Sequence, residues 1–157
     1  MTNPIPAERF TRELMLVIEE AFESVHGIFL DKGNSLFETL ADISAEEASI
    51  PVGGKCATLA AQVAHVCFYL DVLEGYMKTG QNNGADWGEV WRTVSAVSPE
   101  EWAALQARLR QAYQRLRESL LGYQTWEVEF SIAGAVGVAA HTAYHLGEIR
   151  QALCTLK

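Results

Sequence analysis

Four side chains in this sequence have the types and spacing to hold a metal ion and to act on what it binds. His141 and His145 stand four apart in Ala140-His141-Thr142-Ala143-Tyr144-His145-Leu146-Gly147-Glu148. Residues four apart share one face of an α-helix, so the two imidazoles form a claw one turn deep. Glu148 continues the same stripe and is read as a ligand, as an acceptor behind a ligand, as a group that carries a proton, or alternatively as a plain salt-bridge partner of an arginine. Two nitrogens do not make a site, and a third has to come from another segment. His65 lies midway along an almost uncharged stretch and supplies it. A closed structural site uses four protein ligands, whereas three imidazoles leave a Lewis-acidic position open, as in catalytic sites. Zinc, nickel, iron and copper all accept such a donor set. On spacing alone the alternative also stands, that these are core histidines hydrogen-bonded to neighbours.

Other metal chemistries fit less well. A zincin protease needs a glutamate directly after the first histidine of its motif, and position 142 is threonine. A ferritin-like di-iron centre needs glutamates on facing helices, and none lies close to His65. A bis-histidine haem uses one histidine per helix and leaves the His141 and His145 pair unexplained.

The elements that must carry these residues are helical. A first helix is expected from Pro6, with Phe10, Leu14, Val17, Ile18, Ala21 and Val25 at the helical period, stopped at His26-Gly27. His26 is read as a last-turn capping residue, not a ligand. Short helical pieces follow, one from Asn34 and one at the capping box Ser44-Ala45-Glu46-Glu47, before a break at Pro51-Val52-Gly53-Gly54. The second long helix is expected from about Lys55 to Lys78, closing at Gly80. Leu59, Val63, Val66, Leu70, Leu73 and Met77 form its apolar stripe, and Thr58, Gln62, His65, Tyr69, Val72 and Tyr76 a second uncharged line. That second line turns His65 inward.

A loop at residues 80–86 and a turn or two of helix carrying Trp87 and Trp91 precede the third long helix. Ser98-Pro99-Glu100-Glu101 is its start signal: cap, first-turn proline and reciprocal carboxylate in order. Trp102, Leu105, Leu109, Ala112, Leu116 and Leu120 face the core, Arg108, Arg110, Arg115 and Arg117 a solvated side, and Gly122 ends the helix. The last helix covers about residues 131–155. Gly134 and Gly137, just before His141, indicate a close helix crossing or else a gap above the metal. Four long helices with two connections crossing the ends indicate an all-α four-helix bundle with short helices in the crossovers. Tyr69 and Tyr144 are read as core, with a phenol near the metal that orients a substrate as the alternative, Cys56 and Cys154 as small packing residues, and the four tryptophans as core or interface anchors and not a substrate cage. Cys67, two positions from His65, points away from it.

Bulk properties narrow the partners. The 157 residues suit one domain spanning 1–157. A net charge of -8 argues against a phosphate backbone or an anionic membrane surface as partner, so neither nucleic acid nor membrane is expected. Three cysteines without CxxC spacing, and an N-terminus lacking the basic start and apolar core of a signal peptide, lead to the expectation of a cytoplasmic protein.

The lone histidine in Ala61-Gln62-Val63-Ala64-His65-Val66-Cys67-Phe68-Tyr69-Leu70 and the segment Ala139-Ala140-His141 through His145-Leu146-Gly147-Glu148-Ile149-Arg150-Gln151, in this order of elements, resemble the DinB-like (YfiT-like) metalloenzyme superfamily. The similarity runs over essentially the whole chain. It implies up-down-down-up connectivity, a divalent metal held by three histidines, here His65, His141 and His145, and frequently a homodimer. Characterised members include thiol-dependent transferases and isomerases that use low-molecular-weight thiols. The expected function is therefore metal-dependent transfer or hydrolysis on a small electrophile, with Glu148 as acid/base or as support for a ligand. A non-catalytic metal-binding or structural homodimeric bundle of stress-related role is the alternative from another class, and a metal-free dimeric bundle a third.

Overall fold

The computed structural model describes residues 4–52, 56–81 and 84–156. Met1 to Asn3, Gly53 and Gly54 of the expected break, Lys55 at the expected helix start, and Asn82 and Asn83 of the expected loop lie outside the described residues. Among the described residues the regular structure is all helical: α1 (Ala7–Phe22), α2 (Leu36–Leu40), α3 (Ala45–Ala48), α4 (Leu59–Thr79), α5 (Glu89–Thr93), α6 (Pro99–Leu121) and α7 (Ser131–Leu156). Among the described residues no helix is long and apolar enough to cross a membrane. The four long helices are α1, α4, α6 and α7. Both α1 and α4 pack against α6 and α7, and the short helices sit in the connections.

Local chemistry explains most helix ends. Ser35, Ser44 and Ser98 each close a capping box, with Glu38, Glu47 and Glu101 reaching back to the cap. The cap of α2 is thus Ser35 and not Asn34, because only Ser35 stands three residues ahead of a glutamate. Gly80 ends α4 at φ 68, the left-handed conformation that glycine adopts without cost. Thr58 caps the start of α4, accepting the Ala61 N–H and donating its hydroxyl to the Ser95 carbonyl. The helix therefore begins at Leu59, four residues after the expected start.

The first helix departs further from expectation. It ends at Phe22, short of Val25 and His26. The cause is Glu20, whose side chain is fully buried. Its carboxylate accepts the backbone N–H groups of His26, Ile28, Phe29 and Leu30 at 2.6–3.0 Å. Those four donors pull the chain after Phe22 back over the helix end, through Gly27 at φ 81. His26 is accordingly a loop residue, with Nε2 3.8 Å from a Glu19 oxygen.

The core joins an aromatic cluster, with Phe22 stacked on Tyr113 at 4.7 Å and Phe37 edge-on to it, to the α4 stripe from Leu59 to Met77. Trp102 is buried and donates from Nε1 to the Ile43 carbonyl, pinning the first connection to α6. The α6 arginines are not simply solvated. Arg108 and Arg115 both reach Asp71 of α4, Arg117 reaches Glu19 of α1, and the Arg110 guanidinium lies 4.2 Å from the Phe37 ring centroid. Such exposed pairs contribute little stability each and serve chiefly to set which helix lies beside which.

The crossing of α4 and α7 fixes the site. A Cβ on Gly134 would lie 2.6 Å from Met77 Cγ, and one on Gly137 would lie 3.0 Å from the Tyr69 hydroxyl. Both glycines are thus explained by close approach. Gly134→Ala gains about 1 kcal/mol of helix propensity but drives a methyl group into Met77, itself only 1% exposed. The expected net result in urea denaturation is a loss of about 1–2 kcal/mol.

Candidate metal centre

The start of α4, held by the two Thr58 hydrogen bonds, turns Gln62 and His65 toward α7. His65 and His145 are 8% and 5% exposed, and His141 is half-buried. The His141 Nε2 lies 3.2 Å from the Nε2 of His65 and 3.2 Å from that of His145. The three donor atoms all fall within 4.8 Å of one another. Among the described residues no other group of histidines, cysteines and carboxylates converges in this way.

Each ring is held differently. His145 Nδ1 faces two acceptors, Gln62 Oε1 at 2.5 Å and Glu148 Oε2 at 2.9 Å. The ring of His141 stacks on Tyr69 with centroids 3.6 Å apart and planes 7° from parallel, an approach that Gly137 admits. His65 packs on the Trp91 indole, with centroids 4.4 Å apart. The Nδ1 atoms of His65 and His141 are buried without a hydrogen-bond partner, so stacking and not hydrogen bonding orients those two rings.

All three rings are uncharged near neutrality. Burial, reinforced by the neighbouring imidazoles, holds His141 down to about 3. Burial and His145 hold His65 down to about 4, with Glu148 opposing. Burial also lowers His145, again against Glu148. A neutral imidazole has one N–H and one lone pair. With Nδ1 of His145 donating, its Nε2 offers only a lone pair. One hydrogen on His141 Nε2 satisfies either His145 or His65, never both. A cation satisfies all three. Two nitrogens about 2.1 Å from one cation and about 100° apart around it are separated by about 3.2 Å, and both short spacings here are 3.2 Å.

Outside the histidines lies an open cleft of about 550 Å³, with Cys56, Gln62, Trp91, Tyr144 and Glu148 on its walls. Tyr144 is 62% exposed at its rim and not in the core as expected. Its phenol hydrogen-bonds Glu148, which raises its pKa. Cys56 and Cys154 are exposed free thiols and not packing residues. Cys67 is buried away from the cleft, its thiol pushed up to about 12 by burial.

The structure brings His65, His141, His145 and Glu148 together. Of three further residues at the site, Gln62 and Trp91 are not assigned to it by the sequence, and Tyr69 is placed near the metal only as the alternative to a core role. Gln62 and Tyr69 share the uncharged line of His65, one turn to either side, and that line was the available signal. Trp91 had none, because its position depends on how the connection after α4 folds back. Comparison of the chain with family models, with curated proteins and with solved structures gives no match.

Proposed function

We propose that this chain is a metal-dependent enzyme of the DinB-like kind, holding one divalent cation on His65, His141 and His145 and acting on a small electrophile by transfer or hydrolysis. The observation that carries the reading is the convergence of three neutral Nε2 donors, two buried and one half-buried, on an open cleft. The proposed architecture is a four-helix bundle of up-down-down-up connectivity. Asp71 meets Arg108 and Arg115, and Met77 meets Tyr123, which supports α4 and α6 running in the same direction. Glu19 meets Arg117 while Thr11 meets Trp126, beyond the end of α6, which supports α1 running against α6. His65 meets His141 while Met77 meets Gly134, which supports α7 running against α4.

A divalent cation on three imidazoles supplies Lewis acidity, lowering the pKa of a water or a low-molecular-weight thiol toward neutrality. The chain's own residues do the rest. Gln62 accepts the His145 Nδ1 hydrogen and so keeps the ring in the tautomer that offers Nε2. Because Gln62 is a sufficient acceptor for that single hydrogen, the Glu148 carboxylate can turn to the cleft and hold a proton taken from the nucleophile, with Tyr144 as its hydrogen-bond donor. Trp91 and Tyr144 wall the cleft on either side.

The test is metal content and thermal stability. Purified protein should carry close to one equivalent of a divalent metal by elemental analysis. After chelation, zinc, nickel or iron at about 100 times its dissociation constant should add about 2.7 kcal/mol, read as a rise of about 5–10 °C in melting temperature. No stoichiometric metal and no shift with any of the three refutes the site.

A further inference from the structure

The cleft over the histidines does not end at Glu148. A second cavity of about 540 Å³ shares Cys56, Ala57, Gln62 and Glu148 with it and continues between the start of α4 and the last turns of α7. Away from that junction its walls are uncharged and mostly apolar: Val52, Leu59, Gly147 and Ala152, with Gln151 and Thr155 as the polar members. From His145 to Thr155 the helix advances about 15 Å. The two cavities therefore form one elongated groove, with metal-binding nitrogens near one end and an uncharged channel running from them.

Gly147 stands where the channel leaves the junction. A glycine inside a helix is destabilising relative to alanine, and the other glycines near the site have a packing reason. Gly147 has none, since a Cβ built there meets nothing within 4 Å. Its missing side chain leaves open the wall along which a bound molecule would lie.

We infer that the site takes an elongated small molecule, with a polar head at the three histidines and an apolar, alkyl-like tail along the groove over Gly147. This rests on the proposed metal site, and it adds the class of substrate. Because the two cavities share Gln62 and Glu148, a ligand whose head sits at the histidines has the channel directly beside it for its tail.

Alkyl hydroxamates test it, because their head groups bind divalent metals while the tail is varied. Protein loaded with cobalt(II) is titrated with acetohydroxamate and octanohydroxamate, followed by the cobalt absorption bands. Burying each methylene strengthens binding several-fold, so the longer compound should bind at least about 10-fold more tightly. Gly147→Leu adds a branched side chain at a position where a Cβ meets nothing within 4 Å, and should leave acetohydroxamate unchanged while removing the advantage of the long tail. Gly147→Ala, which leaves the groove open and favours the helix, should keep that advantage and raise the melting temperature, showing that the leucine acts by occupancy. Equal affinity of both compounds for the unmodified protein overturns the inference, as does a tail advantage that survives Gly147→Leu. Failure to take up cobalt at all is a distinct result that overturns the metal reading and this inference with it.

Discussion

His65→Ala weakens divalent-cation binding by at least about 100-fold, measured by competition with a chromophoric chelator, and leaves the helical circular-dichroism signal intact. The size follows from the donor count. Loss of a supporting group around a metal costs about 10–100-fold, and loss of one of three ligands costs more. His65 is also the only ligand on α4, so its removal leaves a claw on a single helix. Folding survives because alanine is a good helix former and the vacated space lies next to Trp91, which is 39% exposed and adjoins the open cleft. His145→Ala should behave alike. His26→Ala is the control, since that ring sits in the loop after α1 and should change cation binding not at all. Unchanged binding in His65→Ala removes the three-histidine centre from consideration.

Glu20→Gln destabilises the protein at pH 7 by about 3 kcal/mol, because four buried backbone donors lose a charged acceptor and face an amide that itself donates. The pH dependence of the unaltered protein follows from the same carboxylate. Burial alone raises its pKa, but the four N–H groups together outweigh that and hold it at about 2, against an ordinary 4.5. In acid the unfolded chain binds this proton first, so the stabilisation is fully present above about pH 4.5 and is lost as pH falls toward 2. The histidines act higher on the scale. Their folded values lie below the ordinary 6.5, His65 at about 4 and His141 at about 3, so the metal-free protein begins to lose stability below pH 6.5. Each histidine adds up to about 1.4 kcal/mol per pH unit to that slope. Urea denaturation at a series of pH values should show two successive losses, and Glu20→Gln should flatten only the lower one. A Glu20→Gln protein as stable as the parent at pH 7 shows that the carboxylate does not hold the loop.

What could be read in advance was whatever chemistry is local. The box at Ser98 to Glu101, the one at Ser44 to Glu47 and the glycine stop at Gly80 depend on residues within one or two turns, and each ends a helix where expected. The same holds for His141 and His145, whose shared face follows from their spacing. What could not be read depends on partners distant in the chain. Glu20 interrupts an apolar stripe and reads as a misplaced surface charge until the loop from His26 to Leu30 folds onto it. Tyr144 lies on the exposed side of α7 although its neighbours in the chain, Thr142, Ala143 and Leu146, are uncharged, because α1, α2 and α4 pack on other sides of that helix. Trp91 reaches His65 from a helix of five residues whose own sequence does not indicate where it docks.

The two halves of the proposed metal centre stand 76 positions apart, His65 on α4 and His141 on α7. During synthesis the chain must therefore be made through His145 on α7 and brought together before a complete binding site exists. A nascent polypeptide holding only His65 offers one weak nitrogen and retains no ion. On the proposed reading, loading would be restricted to a chain that has already emerged from the ribosome through His145 and collapsed, and possession of the ion would report that folding has finished.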